Sequence, residues 1–226
     1  MLINADFTQR AVVHAARAPW VPSPIPGVER RMLDRVGDEI ARATSIVRYA
    51  AGSAFSPHVH GGGEEFLVLE GVFQDEHGDY PVGSYVRNPP QSRHTPRSNP
   101  GCVLFVKLHQ FAANDRLQVR LDTGRVATTA DPRRSGVLLQ PLFTDARETV
   151  RMETIAPNAP WDVGDPGGFE MLVVAGQLDG LGEVFRALSW MRSPPGERTC
   201  FRAGQEGARA WVKLGHLTAE TTRQDQ

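Results

Sequence analysis

Residues 52–71 read GSAFSPHVHGGGEEFLVLEG, which places two histidines and a glutamate just before a run of apolar residues. His58 and His60 lie two positions apart, so a β-strand would present both imidazoles on one face, about 7 Å apart along the chain. Glu64 follows across three glycines, a flexible run that could bring its carboxylate to the same point. A His-x-His pair also arises by chance and three glycines also form ordinary turns, so neither feature decides the chemistry alone.

His94 supplies a third imidazole, 34 positions after His60 and shortly after a pair of prolines. A further strand at this place could deliver the imidazole from the opposite wall of a barrel. Three neutral imidazole nitrogens and one carboxylate form a ligand set that suits divalent transition metals. The joint spacing therefore predicts a metal site made of His58, His60, Glu64 and His94.

On both sides of this site, glycine and proline divide the chain into short apolar segments. The 226 residues include 22 glycines and 17 prolines, and the segments between them are mostly rich in β-branched and aromatic residues. We predict strands at residues 28–33, 45–50, 65–69, 83–87 and 102–108. DEHGD, at residues 75–79, predicts a hairpin turn in which Gly78 takes a positive φ and His77 is exposed. The pattern is all-β, without long helices.

Three segments of the first half recur in the second half at a nearly constant spacing. The matched pairs are EEFLVLEG (64–71) with FEMLVVAG (169–176), SYVRNPPQSRH (84–94) with SWMRSPPGERT (189–199), and FVKL (105–108) with WVKL (211–214). The first two pairs are 105 positions apart and the third is 106, so one residue is inserted before the last strand. Three matches in the same order predict two copies of one β-barrel.

The repeat predicts a first barrel over residues 1–118 and a second over 135–217, joined by a polar linker at 125–134 and followed by a polar tail at 218–226. The second copy lacks the predicted ligands. At the four equivalent positions it carries Val163, Asp165, Phe169 and Thr199. A single carboxylate cannot replace a nitrogen-rich ligand set. Its apolar and turn residues persist, so we expect a second barrel with a role in structure or in ligand recognition.

These residues resemble the cupin family. Its first motif, G-x5-H-x-H-x(3,4)-E-x6-G, is matched at every fixed position of residues 52–71. Its second motif, G-x5-P-x-G-x2-H-x3-N, is matched in part by residues 83–98, where Pro89 and His94 agree but glutamine and serine replace the second glycine and the asparagine. The resemblance implies an all-β fold of two tandem cupin barrels, of the double-stranded β-helix or jelly-roll type.

Residues 64–110 resemble the ChrR-type cupins more closely, a family named for the zinc-binding cupin domain of an anti-sigma factor that responds to singlet oxygen. This resemblance implies that the family's ligands correspond to His58, His60, Glu64 and His94. They would hold one divalent transition metal ion, with zinc or iron favoured and manganese or nickel also compatible. Glu65 is adjacent to a ligand, but strand alternation should turn it to the opposite face.

Three functions are compatible with such a site. Family members that cleave acetylacetone and dihydroxyacetophenone suggest a mononuclear metal-dependent dioxygenase acting on a small diketone or hydroxyketone, with Phe55, Phe66 and Phe73 as candidate pocket walls. The alternative is a ChrR-like zinc-binding sensor of an oxidant or small ligand, and the third is a zinc-stabilised scaffold. Zinc held by all four side chains is a closed site, whereas octahedral iron or manganese leaves positions open for substrate.

The composition restricts the classes of molecule that the protein is expected to bind. With 25 basic and 26 acidic residues and a net charge of -1, the chain has no broad positive field, so we expect a small-molecule ligand rather than nucleic acid or a membrane. The segment before the motif lacks the cysteine and histidine ligands of an anti-sigma factor's helical zinc domain, which speaks against sigma-factor binding. Without a secretory signal or spanning segment, a cytoplasmic location is the default. By analogy with other cupins, a homodimer is expected.

The remaining cysteines and histidines show no metal-binding spacing. Cys102 and Cys200 lie far apart, and each is expected to be a buried, inert thiol. His14, His109 and His216 have no ligand partner at a recognisable spacing, so we expect ordinary surface or barrel-edge residues.

Overall fold

The protein folds almost entirely into antiparallel strands. The structure, a computed structural model, describes residues 1–38 and 40–217, so the predicted tail at 218–226 lies outside the described residues. In chain order the strands are β1 (Leu2–Ile3), β2 (Ala11–His14), β3 (Val21–Pro22), β4 (Val28–Gly37), β5 (Ala41–Tyr49), β6 (Ser53–Ala54), β7 (His58–Val59), β8 (Glu64–Asp75), β9 (Gly78–Pro81), β10 (Ser84–Asn88), β11 (Arg93–His94), β12 (Arg97–Ser98), β13 (Cys102–Leu108), β14 (Val119–Asp122), β15 (Thr129–Ala130), β16 (Val137–Thr144), β17 (Thr149–Ile155), β18 (Pro160–Gly164), β19 (Phe169–Gly180), β20 (Glu183–Arg186), β21 (Ser189–Ser193) and β22 (Arg198–Leu214). The helical structure in the described residues is one 3-10 helix, Ala15–Arg17. The all-β prediction is confirmed, as is the turn after Asp75, where Gly78 has φ +144°.

The chain divides into two compact units with the same strand order. Among the described residues, the first comprises Met1–Ala5 and Ala18–Arg125, and the second comprises Asp6–Arg17 and residues 126–217. The main sheet of the first unit runs β1-β4-β5-β13-β8-β10-β14, and that of the second runs β15-β16-β17-β22-β19-β21-β2. The two sheets correspond strand for strand, which agrees with the internal repeat and with two tandem barrels.

The observed units differ from the predicted ranges at two places. β2, inside the range predicted for the first barrel, pairs with β21 of the second unit, with Ala11 opposite Arg192. β2 thus takes the edge position that β14 takes in the first unit. The predicted linker is also structured in part, because β15 pairs with β16. A short edge strand is joined to its neighbour by backbone hydrogen bonds, and its sequence carries little information about which partner it joins.

One glycine of the motif has a geometric explanation that both units share. Gly71 lies within β8 with φ +69°, and a Cβ added to it would lie 2.0 Å from the carbonyl oxygen of Gly101. Its repeat equivalent, Gly176, has φ +74°, and an added Cβ would lie 2.1 Å from the carbonyl oxygen of Gly207. Both positions therefore require glycine for the positive φ and for the close approach of the neighbouring backbone.

Each unit has its own apolar core. The core of the first unit includes Phe66, Phe73 and Leu104, and the core of the second includes Trp161 and Phe169, both fully buried. Each such side chain contributes roughly 1.5–3 kcal/mol through burial. No helix within residues 1–38 and 40–217 has the length and hydropathy to cross a membrane.

Two expectations for isolated side chains are wrong. Cys102 is buried as predicted, and burial raises the pKa of its thiol to about 11. Cys200 is exposed, because alternate residues of β22 face solvent. His216 is buried rather than at the surface, and its Nε2 lies 3.1 Å from Glu170 Oε2. His14 lies on edge strand β2, as expected for a barrel-edge residue.

Candidate metal centre

A small two-stranded ladder brings His58 and His94 together. β7 pairs with β11, and His58 lies directly opposite His94. The pairing continues to His60, whose backbone N–H donates to Ser92 O at 2.9 Å and whose carbonyl accepts from the Gln91 N–H at 2.8 Å. The His-x-His spacing therefore acts as predicted, with both imidazoles directed to the side on which His94 lies.

The three imidazoles form one cluster. The ring centroids of His60 and His94 are 4.7 Å apart, and the centroids of both lie 4.9–5.0 Å from that of His58. One ring nitrogen from each histidine can be chosen so that all three lie within 4.8 Å of one another. His60 and His94 are buried, whereas His58 is exposed. Three histidines in this arrangement are close enough to bind a metal ion.

Glu64 faces the same cluster from the start of β8. Its Oε2 lies 3.5 Å from His60 Nε2 and 3.7 Å from His94 Nε2. The same oxygen accepts a hydrogen bond of 3.1 Å from the side-chain amide of Asn88, whose Oδ1 accepts one of 3.1 Å from Gln118. All four residues predicted for the site thus lie together, and a chain of two amides orients the carboxylate.

Two of the three glycines before Glu64, Gly62 and Gly63, have a role that the sequence analysis did not predict. A Cβ added to Gly62 would lie 2.4 Å from His109 Nδ1, and one added to Gly63 would lie 2.4 Å from the Phe111 ring. Both glycine carbonyls accept hydrogen bonds from the backbone of this segment, at 3.0 Å from His109 and 3.3 Å from Phe111. The glycines therefore allow the end of β13 to pack directly against the loop that holds the ligands.

Asp75 contacts the predicted ligand His94, a contact that the sequence analysis did not predict. Its Oδ2 lies 3.4 Å from His94 Nδ1, an ion-pair contact longer than a well-formed hydrogen bond. Asp75 Oδ1 accepts from the His77 backbone N–H at 2.7 Å and from the Tyr80 hydroxyl at 3.2 Å. Asp75 was assigned to a turn because of its neighbours. Its place at the end of β8, with an inward side chain, depends on the strand pairing.

The pKa values of the two buried histidines are shifted in opposite directions. Burial lowers the pKa of His60. Burial also acts to lower the pKa of His94, but the contacts with Asp75 and Glu64 outweigh it and raise that pKa. Burial acts to raise the pKa of Asp75, and the contact with His94 and the hydrogen bond from His77 lower it below its usual range.

The donor atoms suit a metal ion. His60 Nε2 is buried and has no hydrogen-bond partner among the described residues, and a buried ring nitrogen without a partner is costly unless something binds it. His58 Nδ1 lies 3.4 Å from Ser56 O, and His94 Nδ1 faces Asp75. Contacts to Nδ1 of this kind are the ones that orient metal-ligating histidines and leave Nε2 for the ion.

We expect Asp75→Asn to weaken metal binding about 10- to 100-fold, the usual effect of removing a carboxylate that orients a ligating histidine. Isothermal titration of the metal-free protein would measure the change. Asp79→Asn is the matched control, because Asp79 lies in the same hairpin and accepts a hydrogen bond from Gln74 rather than contacting a ligand. Equal affinities in the two variants would exclude a role for Asp75.

Glu65 points away from the site, as strand alternation predicts. It is 2% exposed and accepts a hydrogen bond of 2.6 Å from the Tyr85 hydroxyl. The repeat conserves this arrangement, since the Trp190 indole N–H donates to Glu170 Oε1 at 2.7 Å. Glu65 therefore belongs to a buried polar pair on the other face of β8.

The second unit fills the equivalent space with apolar side chains. Val163 lies opposite Thr199, in the register that His58 and His94 have in the first unit. Phe169 replaces Glu64 and is fully buried together with Trp161. Asp165 forms a turn, accepting from the Gly167 N–H at 2.8 Å. Among the described residues, these positions offer a packed interior and no cluster of ligand atoms.

The similarities to known proteins agree with this geometry. Residues 8–112 match the family described as the ChrR Cupin-like domain. No curated protein matches the chain by sequence.

Similar solved structures have low sequence identity. A "putative dioxygenase" from Nostoc punctiforme PCC 73102 has a TM-score of 0.71 and 13% identity, covering 98% of this chain and 85% of its own. A cupin 2 conserved barrel domain protein from Leptotrichia buccalis has a TM-score of 0.59 and 9% identity, covering 90% and 95%. The pirin YhhW from Escherichia coli, in complex with nickel(II), has a TM-score of 0.65 and 11% identity, covering 92% and 99%. At these identities the likeness concerns the fold.

Proposed function

We propose, from the match of residues 8–112 to the ChrR Cupin-like domain, that the protein is a mononuclear metal-dependent dioxygenase acting on a small diketone or hydroxyketone. One observation carries the proposal: His58 is exposed while His60 and His94 are buried. An ion held by these residues would lie next to the solvent-exposed His58, which supports access from that side. An open side suits substrate binding, whereas a structural zinc site is closed.

We assign the ligands to His58, His60, Glu64 and His94. In this assignment His60 and His94 hold the ion from the buried side, and Glu64 supplies a carboxylate oriented by Asn88. Iron would best suit the reaction, since a bound redox-active metal supplies the dioxygen chemistry that side chains lack. The protein residues orient the ion and leave one side for a substrate with two oxygen atoms.

The experiment begins with the metal. Protein purified from minimal medium would be analysed for metal content, then reconstituted with Fe(II) and tested for oxygen uptake with β-diketones. We expect uptake that depends on both Fe(II) and diketone, and none in His94→Ala protein treated in the same way. Protein that retains zinc alone and shows no uptake after Fe(II) reconstitution would contradict the dioxygenase proposal.

A ChrR-like zinc sensor of an oxidant or small ligand is the second candidate. The family match favours it, and so does a ligand set that zinc also accepts. The same measurements distinguish the candidates, because a sensor would carry zinc and bind its ligand without turnover. For either candidate we propose a cytoplasmic homodimer with a small-molecule ligand and without a sigma-factor partner.

Metal affinity should fall as the pH is lowered, with His94 protonated before His60. Imidazole must be neutral to bind a metal. The raised pKa of His94 means that protons begin to compete at this residue above about pH 6.5, whereas the lowered pKa of His60 delays its protonation to lower pH. Titrating metal-free protein with Zn(II) from pH 8 to pH 5 should show affinity declining from above pH 6.5. Affinity independent of pH over that range would contradict histidine ligation.

A further inference from the structure

A cavity of about 600 Å³ lies against the exposed histidine of the candidate metal centre. Its wall includes Ile25, Val28, Tyr49 and Phe55, together with three prolines, and His58 closes one side. His60 and His94 are not part of the wall. The cavity therefore meets the histidine cluster at His58, which is the side left open by burial of the other two rings.

The wall of this cavity is apolar and uncharged. Among the described residues that line it there is no aspartate, glutamate, lysine or arginine, and the polar groups are those of Tyr49, Ser56 and His58. Burial, with a smaller contribution from Glu64, raises the pKa of Tyr49, so its phenol stays neutral. A carboxylate or phosphate in this space would have no cationic side chain to compensate for its desolvation. The chemistry of the wall favours a neutral, largely apolar occupant.

Ring packing holds the wall in place. The Tyr49 ring lies 5.0 Å from the Phe55 ring and 6.0 Å from the Phe73 ring, and the Phe73 ring lies 5.7 Å from the His94 ring. Phe55 is also fixed through its backbone N–H, which donates to Pro96 O at 3.0 Å. Of the three phenylalanines expected to line a pocket, Phe55 does so, while Phe66 and Phe73 are each 1% exposed and belong to the core.

We propose that this cavity holds the uncharged hydrocarbon part of a ligand that chelates the metal through two oxygen atoms, and that it selects aryl-substituted over methyl-substituted ligands. The inference rests on the proposed metal site but not on turnover. The ligand's oxygen atoms would bind the metal on the side of His58, and its ring would lie between Phe55, Ile25 and Tyr49. Small charged acids would lack this apolar contact and depend on the metal alone.

Binding without oxygen separates this inference from the proposed reaction. Metal-reconstituted protein would be titrated anaerobically with 2,4-pentanedione, with 1-phenyl-1,3-butanedione and with oxalate. Replacing a methyl group by a phenyl group buries several more apolar carbons, so we expect the phenyl compound to bind at least about tenfold more tightly. Oxalate has no hydrocarbon part, so the cavity should not increase its affinity.

Two wall variants and one control complete the test. Phe55→Ala and Ile25→Ala should each reduce the preference for the phenyl compound severalfold while the metal content stays unchanged. Ile25 is 52% exposed, so its substitution leaves the core intact. Leu117→Ala is the control, because Leu117 is 59% exposed and lies outside the wall; it should keep the full preference.

The outcomes separate the two proposals. Wild-type protein that retains metal but binds the two diketones equally would overturn the cavity assignment and leave the metal site standing. An unchanged phenyl preference in both wall variants would overturn it as well. Protein that binds neither metal nor diketone would overturn the proposed function. A phenyl preference without oxygen uptake would support the cavity and contradict the dioxygenase.

Discussion

His94→Ala is expected to lower metal affinity by more than about 100-fold, since removing a ligand should exceed the 10- to 100-fold effect of removing an outer contact. His94 is 3% exposed and faces both Glu64 and Asp75. The substitution removes the ligating nitrogen and also the contact between His94 Nδ1 and Asp75 Oδ2. Metal content after dialysis and the affinity from a competitive chelator titration would both report the change.

The repeat provides a control for this variant. Thr199 is also 3% exposed and takes the place of His94 in the second unit, so Thr199→Ala should leave the metal content unchanged. His58→Ala provides a second ligand variant at an exposed position, where the substitution opens no buried cavity. Full metal occupancy in both histidine variants would refute the assigned site.

Gly71→Ala is expected to reduce the free energy of unfolding by about 3 kcal/mol or more, which puts it among the most damaging single substitutions. The positive φ of +69° costs an L-residue about 1–2 kcal/mol. The larger part comes from the Gly101 carbonyl oxygen, which would lie 2.0 Å from the new Cβ and is fixed in the backbone. Urea denaturation of the metal-free protein would measure the loss.

Two glycines of the second unit distinguish the steric clash from the positive φ as the cause of the destabilisation. Gly176→Ala introduces the same clash in the second unit, so it should destabilise the protein to a similar extent while metal content is retained. Gly182 has a similar φ, +76°, but open space around an added Cβ, so Gly182→Ala should cost only about 1–2 kcal/mol, the effect of the positive φ alone. Equal destabilisation by Gly71→Ala and Gly182→Ala would show that the close approach contributes nothing.

Much of the fold and site was predictable because the relevant signals are local. The shared face of His58 and His60 follows from strand alternation, and the matched segments 64–71 and 169–176 align Gly71 with Gly176. The internal repeat then predicted the second barrel without any information about residue contacts. These features depend on residue spacing, which the sequence displays directly.

The features that were missed depend on contacts between distant segments. Asp75 follows an apolar run and precedes a turn, and nothing in that pattern shows that its carboxylate faces His94, 19 positions later. Gly62 and Gly63 are required because His109 and Phe111, which follow β13, pack directly on them. The cavity beside His58 combines residues of four strands, β4 to β7, with residues of three loops. Such side-chain contacts follow from register and packing, which spacing alone does not specify.

The placement of β2 has a consequence for biosynthesis. His14 and Ser189, which face each other across the β2–β21 pair, are 175 positions apart. At roughly 5–20 residues per second, β2 leaves the ribosome about ten seconds or more before its partner strand exists. Until then its backbone donors and acceptors are open to any other strand. The first-made strand of the second unit is thus among the last to be paired.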